Sequence, residues 1–308
     1  MRLTVAGLVT LTLLFPIGAT RADGPEAAWP RRVLLTNDDG IQERRLHALA
    51  RAFAEVAETW VVASFEDRSG SSNYTSFGKY QRTLLARREH VEEGLALYGV
   101  AGYPADAVLL GVKGILGDEP PDLVVSGVNG GNNLGTDGWW ASGTIGAARA
   151  AAFLGIPAIA ASGLDDDDPE MVARVTDWIV RFAQSPIVRD LEPGQYLTVA
   201  FPEVPAAEIE GVRFAPRMPS ILRLSLDRVH FAEDDGGETE EIWLAELAAD
   251  PSGVSAESDG ALLRQGYVVV TPMRLGEVDA AALADLAGNA DRLPGWPVAS
   301  PAPPPRPR

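Results

Sequence analysis

The stretch Val33-Leu34-Leu35-Thr36-Asn37-Asp38-Asp39-Gly40 predicts the fold of this 308-residue chain. It begins with a short run without charge, which is typical of a strand buried on both faces of a parallel sheet. Polar residues and a glycine follow at once, as expected where a loop leaves the end of such a strand. We therefore predict an α/β domain whose first strand delivers two adjacent carboxylates to one edge of a sheet.

Apolar runs and helical spacings alternate along the chain beyond this strand. Further strands are predicted at 60–63, 123–125, 157–161, 196–201 and 267–271, and helices at 46–57, 104–116, 142–154 and 169–183. This alternation indicates a doubly wound, mostly parallel, Rossmann-like sheet with right-handed crossovers. Ligands of such sheets bind outside the carboxyl ends of the strands. The loops at 37–40, 64–79 and 126–141 are therefore expected to converge there.

The rest of the chain divides into one domain and its extensions. We expect a single α/β domain over residues 33–290, preceded by a linker at 23–32. Residues 221–231 and 239–247 flank an acidic, glycine-containing turn and predict a long β-hairpin extension at about 220–247. A long hairpin cannot easily bury both faces alone, so it is suited to pairing with another subunit. The proline-rich tail at 291–308 is expected to be extended.

The first 22 residues have the pattern of a cleavable signal peptide. Arg2 is followed by an almost wholly apolar run to Phe15, and a small-x-small site ends at Ala22. The run is shorter than the roughly 20 residues that a membrane span needs, so no spanning segment is predicted. We expect cleavage near Ala22 and export, which in a bacterial-type cell means the periplasm. An N-terminal strand or a retained anchor is the alternative.

Composition excludes several kinds of chemistry. The chain has no cysteine and only three histidines, so disulfides, thiolate zinc sites, cysteine nucleophiles and iron–sulfur clusters are ruled out. With 26 basic and 43 acidic side chains, its net charge of −17 argues against binding to duplex nucleic acid. If the protein is an enzyme, its chemistry must rest on carboxylates, hydroxyls, amides and a hard metal ion.

The first loop carries the adjacent carboxylates Asp38 and Asp39. Two neighbouring carboxylates repel one another, and a hard divalent cation relieves that repulsion. Gly40 allows a sharp turn directly after them. Taken alone, an ordinary Asp-Asp-Gly turn explains the same residues.

The other two loops offer hydroxyl, amide and backbone groups. Residues 67–73, DRSGSSN, suit oxygen coordination and phosphate binding, although a flexible surface linker has a similar composition. The loop from Ser126 is rich in glycine and asparagine and leads to Ser142-Gly143-Thr144 at a helix start, where free N–H groups favour an anion. A long glycine-rich turn is the alternative. Neither a Walker loop nor a dinucleotide fingerprint is present, so no dinucleotide cofactor is expected.

Short motifs follow one another in a fixed order along the chain. They are LLTNDDGI at 34–41, DRSGSSN at 67–73, GYPADAV at 102–108, PDLVVSGVN at 121–129, NLG at 133–135, SGTIGAA at 142–148, GIPAIA at 155–160 and GYVVVTP at 266–272. In this order and spacing they resemble the SurE family, the stationary-phase survival proteins that act as metal-dependent nucleotidases. The strong part of the resemblance covers about residues 33–162.

The resemblance implies a function and a site. It implies a phosphatase that hydrolyses nucleoside 5′- and possibly 3′-monophosphates, with one Mg²⁺ or Mn²⁺ per subunit. The cation ligands would be Asp38, Asp39, Ser69 and Asn129, with Asp38 or Asp39 also orienting the attacking water or taking its proton. The phosphate and nucleoside would lie among Asn37, Asn73, Asn133, Ser142, Gly143 and Thr144. A homodimer or homotetramer is expected.

The chain also departs from the family, and rival functions follow. Gln42-Glu43-Arg44-Arg45 replaces the family's small residues, proline and glycine, and Gly130 occupies a position that is often basic. The 203–258 region matches poorly. One rival is a haloacid-dehalogenase-like phosphatase, which needs Asp-x-Asp where this chain has adjacent carboxylates. The other is an exported protein that binds a nucleotide or metal without turnover, a possibility that Gly130 keeps open.

Overall fold

The computed structural model describes residues 29–76, 83–89, 95–164, 168–233 and 239–276. The predicted signal peptide, most of the linker and the proline-rich tail lie outside the described residues. The domain bounds at 33–290 therefore remain a prediction, although one sheet spans most of that range.

Nine strands form one mixed sheet in the order β3-β4-β2-β1-β5-β6-β7-β11-β8. Within it β3 is antiparallel to β4 and β11 is antiparallel to β7, and the other neighbours run parallel. The strands are β1 (Arg32–Thr36), β2 (Glu58–Ser64), β3 (Ala86–Arg88), β4 (Leu95–Val100), β5 (Leu123–Asn129), β6 (Ala158–Ser162), β7 (Gln195–Ala200), β8 (Gly211–Phe214) and β11 (Tyr267–Arg274). The predicted doubly wound, mostly parallel sheet is confirmed.

Helices cover both faces of this sheet. They are α1 (Arg44–Ala54), α2 (Pro104–Leu110), α3 (Gly135–Ala141), α4 (Gly143–Phe153), α5 (Pro169–Ala183), α6 (Pro186–Arg189) and α7 (Asp259–Leu263), with a π-helical turn at Gly111–Ile115 and a 3₁₀ turn at Ala206–Glu208. Val33 and Leu35 pack in the cluster that contains α1 and α5, whereas Leu34 packs in the cluster of α2 and α4. The alternation of a strand therefore buries β1 on both faces.

The predicted loop at 126–141 differs from the structure at both of its ends. Strand β5 continues to Asn129, and the last seven residues form helix α3. Gly135 has φ +62°, and a Cβ at Gly138 would lie 2.4 Å from the carbonyl carbon of Asn133. The glycines thus allow a tight turn at the start of α3, whereas their number in the sequence had suggested a loop. Strands β3, β4 and β8 and helix α7 were not predicted.

The predicted hairpin is confirmed as a separate two-stranded sheet. Strand β9 (Leu222–Glu233) pairs with β10 (Thr239–Ala249) in antiparallel register, with an irregularity between Ile242 and Trp243.

In the part of the chain that the structure describes, none of the helices has the length and apolar character of a membrane span.

Candidate active site

The turn after β1 is closed by the side chain of Asn37. Its Nδ2 donates to the carbonyl oxygen of Gly40 at 3.1 Å, and its Oδ1 accepts from the Gly40 N–H at 3.3 Å. Gly40 has φ +110°, a conformation that favours glycine. The family resemblance predicted Asn37 beside the phosphate. In the structure both polar groups of the Asn37 side chain bond to the backbone of the turn that carries Asp38 and Asp39.

Asp38 is buried against the start of α4. It is 3% exposed, and its Oδ1 accepts a 2.6 Å hydrogen bond from the Thr144 hydroxyl. Burial raises the pKa of Asp38, while the hydroxyl and backbone N–H of Thr144 lower it. The first predicted loop is therefore joined to the helix start that follows the third loop, by a direct contact between two predicted site residues.

Asp39 carries an oxygen that lacks a hydrogen-bond partner. Its Oδ2 is buried and accepts no hydrogen bond, although Nη2 of Arg45 lies 3.6 Å away. Burial and the neighbouring Asp38 raise the pKa of Asp39 to about 6, against the lowering effect of Arg45. A buried carboxylate oxygen without a donor is a suitable ligand for a cation.

The second loop packs beside these carboxylates. The Arg68 N–H donates to the carbonyl oxygen of Asp38 at 2.7 Å, and the charge of Asp67 raises the pKa of both Asp38 and Asp39. Ser69 is exposed, and its hydroxyl donates to Asp67 Oδ1 at 2.6 Å. In the structure the Ser69 side chain therefore contacts Asp67 of its own loop, and its role as a cation ligand stays a prediction.

The third loop begins with Asn129 at the end of β5. Its Nδ2 donates to the carbonyl oxygen of Gly131 at 2.7 Å, which leaves Oδ1 as the oxygen for a cation. Its backbone carbonyl accepts from the N–H groups of Gly163 and Leu164 at 3.0 and 3.1 Å. Asn133 Nδ2 donates to Ser162 Oγ at 2.8 Å and so ties this loop to β6.

The start of α4 makes the floor of the site. Ser142 is the N-cap, and its hydroxyl accepts from the N–H of Ile145 at 3.1 Å. A Cβ at Gly143 would lie 2.8 Å from Ser71 Oγ and 2.9 Å from Asp38 Oδ2, so only glycine fits there. Asn73 is exposed on the loop that covers this turn. A helix start of this kind can bind an anion through its free N–H groups and its dipole, although the hydroxyl and backbone N–H of Thr144 already bond to Asp38.

The donors present fit a hard divalent cation. Carboxylate, hydroxyl and amide oxygens converge at one sheet edge, and two of the buried oxygens, Asp39 Oδ2 and Ser71 Oγ, have no hydrogen-bond partner. Such an all-oxygen set suits Mg²⁺ or Mn²⁺. Among the described residues no group of three or more histidine, cysteine or acidic side chains is placed to hold a metal ion, so the two carboxylates here would need hydroxyl and amide oxygens to complete a cation site.

Three residues of this site were not predicted from the sequence. Asp67 and Ser71 lie in a motif that was recognised, but only Ser69 and Asn73 were chosen from it. Arg45 lies in the stretch that departs from the family. A pair of arginines close in sequence to two carboxylates was the available signal for Arg45, but it does not tell Arg45 from Arg44. The buried hydroxyl oxygen of Ser71 has no signature in sequence.

Known proteins resemble this chain over most of its length. Residues 33–221 match the protein family described as Survival protein SurE, and the match ends where β9 begins. The chain is 35% identical over 262 residues to the 5'-nucleotidase SurE 1 of Burkholderia lata, covering 83% of this chain and 95% of that protein. It is 36% identical over 245 residues to the 5'/3'-nucleotidase SurE of Cronobacter sakazakii, covering 79% and 90%.

A solved structure has the same fold. The crystal structure of SurE protein from Aquifex aeolicus superposes with a TM-score of 0.69 at 26% sequence identity. The superposition covers 84% of this chain and 100% of that one.

Proposed function

Because the chain belongs to the SurE family, we propose that it is a metal-dependent nucleotidase that hydrolyses nucleoside 5′-monophosphates, and 3′-monophosphates as a second substrate. The observation that carries the proposal is the buried Asp38–Thr144 hydrogen bond, which sets a carboxylate pair against a helix start. A cation held by the carboxylates and an anion held by the helix start would then be adjacent. That is the arrangement that phosphoryl transfer to water requires.

The chain's own residues divide the work between the metal and the phosphate. Asp38, Asp39, Ser69 and Asn129 would hold one cation, which when bound supplies Lewis-acid activation of water and neutralises phosphate charge. Asp38 or Asp39 would orient the attacking water or take its proton. The first turn of α4, with Thr144, would hold the phosphate in line with that water.

A cavity beside the site supports nucleoside binding. It has a volume of about 670 Å³, and its lining includes Gly163 and Leu164, whose N–H groups contact Asn129. Pro202 and Glu203 also line it, whereas none of the proposed cation or phosphate residues does. A cavity of this size is within the usual range for small-molecule sites. Asn73 and Asn133 would contact the nucleotide in this proposal.

The two rival functions gain less support. A haloacid-dehalogenase-like mechanism needs a free aspartate nucleophile, whereas Asp38 is buried and accepts from Thr144. A protein that only binds nucleotides is disfavoured, because the relatives that this chain matches over most of their length are named as nucleotidases.

The direct test is phosphate release from a panel of nucleoside 5′- and 3′-monophosphates, with and without EDTA. We expect activity that EDTA abolishes and that Mn²⁺ or Mg²⁺ restores. Activity that persists in EDTA, or none after metal is restored, would overturn the proposal. Titration of metal-free protein with each ion, followed by elemental analysis, tests whether one cation binds per subunit and which ion is preferred.

Assembly through the hairpin is part of the proposal. On one face of the β9–β10 sheet, Leu224 pairs opposite Leu247, and they are 62% and 67% exposed. Leu222 and Leu226 continue the same apolar row. We propose that this face joins copies of the chain into a homodimer or homotetramer. Light scattering that reports a monomer at micromolar concentration would contradict it.

Export completes the proposal and rests on the sequence alone. The pattern of residues 1–22 predicts cleavage near Ala22 and delivery to the periplasm of a bacterial-type cell. The check is the intact mass of the protein recovered from the periplasmic fraction. A full-length mass in the cytoplasmic fraction would disprove export.

A further inference from the structure

Arg45 occupies a central position behind the carboxylate pair. Only 14% of its side chain is exposed. Nε donates to Glu43 Oε1 at 2.9 Å, and Nη1 donates to the carbonyl oxygen of Leu164 at 2.7 Å. Nη2 lies 3.6 Å from Asp39 Oδ2, the buried oxygen without a hydrogen-bond partner. One planar group therefore faces three residues, two in the segment after β1 and one after β6.

Leu164 extends this contact to the third loop. Its carbonyl oxygen accepts from Arg45, and its N–H donates to the carbonyl oxygen of Asn129 at 3.1 Å. Arg45 thus contacts one proposed cation ligand, Asp39, and reaches a second, Asn129, through a single intervening residue. These two ligands come from different strands, β1 and β5, which pair as neighbours in the sheet.

We propose that Arg45 is a positioning residue of the metal site, whose guanidinium fixes Asp39 and, through Leu164, Asn129 at the separation that a divalent cation needs. The inference rests on the proposed function, because it assigns a role within the same site. Partners of metal ligands typically change metal affinity by about 10- to 100-fold when they are removed. The planar fork of arginine suits this role, since it donates to Glu43 and to Leu164 at once and so holds its remaining nitrogen 3.6 Å from Asp39 Oδ2 as an ion pair.

The alternative role for Arg45 is purely electrostatic. Its charge would then only offset the repulsion among Asp38, Asp39, Glu43 and Asp67. The two roles predict opposite effects on cation binding. Removing a positive charge beside a cation site should tighten binding through charge alone, whereas losing a clamp on two ligands should weaken it.

The experiment measures Mn²⁺ binding to the metal-free full chain by calorimetry and by the paramagnetic signal of free Mn²⁺. We expect Arg45→Met to raise the dissociation constant by about 10-fold or more. Arg45→Lys keeps the charge but not the fork, and should raise it by a smaller factor. Arg44→Met removes the same charge from an exposed position of the same helix turn and should change it less than about twofold.

Each outcome decides the proposal. Unchanged or tighter Mn²⁺ binding in Arg45→Met overturns it, and so does parental affinity in Arg45→Lys. If thermal unfolding shows that Arg45→Met does not fold, the Arg45→Lys result decides alone. If the parent itself shows no Mn²⁺ site that Asp38→Asn abolishes, the proposed function fails together with this inference. Parental binding combined with unchanged Arg45 variants overturns only the inference.

Discussion

The carboxyl edge of the sheet and the β9–β10 hairpin use their side chains in opposite ways. At the edge, polar side chains are buried and bonded within the chain, as Asp38 is to Thr144 and Asn133 is to Ser162. On the hairpin, leucines such as Leu224 and Leu247 are largely exposed. Burying a polar group costs free energy unless the group is hydrogen-bonded, and an exposed apolar row is unfavourable unless another surface covers it.

This difference separates catalysis from assembly. The edge bonds polar groups such as Asp38 inside one chain and leaves Asp39 Oδ2 and Ser71 Oγ without a partner, whereas the hairpin has an apolar face that none of the described residues covers. Substitutions at the edge should therefore alter enzymatic activity without altering the mass of the assembly. Substitutions on the hairpin should alter the mass of the assembly and leave the activity per chain almost unchanged.

The largest effect is expected from Asp38→Asn. The amide keeps an oxygen for the Thr144 hydroxyl but removes a charged cation ligand, so kcat should fall on the order of a thousandfold. Phosphate release at saturating Mn²⁺ measures this change, and light scattering should report the parental mass. Near-parental activity in this variant would show that the carboxylate is not part of the machinery.

A smaller loss is expected from Thr144→Val, which removes the 2.6 Å hydrogen bond to Asp38. The side chain keeps its shape, but Asp38 loses the group that orients it, and kcat/KM should fall by about 10- to 100-fold. Thr144→Ser retains the hydroxyl and serves as the matched control. Equal losses in both variants would argue that the methyl group, and not the hydrogen bond, matters.

The pH dependence of metal binding tests Asp39, whose pKa is raised to about 6. A cation binds the ionised carboxylate, so Mn²⁺ affinity should fall by about tenfold between pH 7 and pH 5. Calorimetric titrations across this range measure it, and Asp39→Asn should bind weakly at every pH. A flat profile in the parent would contradict the raised pKa.

The same shift acts in the opposite direction on the stability of the metal-free protein. The folded state holds the Asp39 proton more tightly than the unfolded chain, whose pKa is near 3.8. This contribution to stability is present below that value and is lost as pH rises through about 6.

The smallest effect on activity is expected from Leu224→Asp. A charge on the apolar face should shift the protein towards monomers in sedimentation velocity, while activity per chain stays within about twofold. Ser225→Asp places the same charge on the opposite face of the hairpin and should leave the mass unchanged. If both variants dissociate the protein, the apolar row is not the specific contact. If Leu224→Asp abolishes activity, the separation of assembly from catalysis is wrong.

The sequence predicted most of the sheet because its central strands are continuous apolar runs. Val33, Val61 and Val124 lie in runs buried on both faces, which leave a clear pattern. Strand β4 was missed because it contains Gly99 and because its alternate residues are only half-buried, which weakens that pattern. The two carboxylates were found from their position after β1. The contacts of Arg45 and Ser71 depend on the packing of distant loops, which a single sequence does not encode locally.

Gly146 lies in the first turn of α4, two residues beyond Thr144. A Cβ there would lie 1.8 Å from the carbonyl oxygen of Ser72, so the second loop rests on the bare backbone of α4. A contact between two backbones has no rotamers with which to adapt, and a methyl group cannot be accommodated by a small adjustment. The height of the loop above the helix is thus set by the absence of one side chain, and every larger residue at this position would act as a spacer between the two halves of the site.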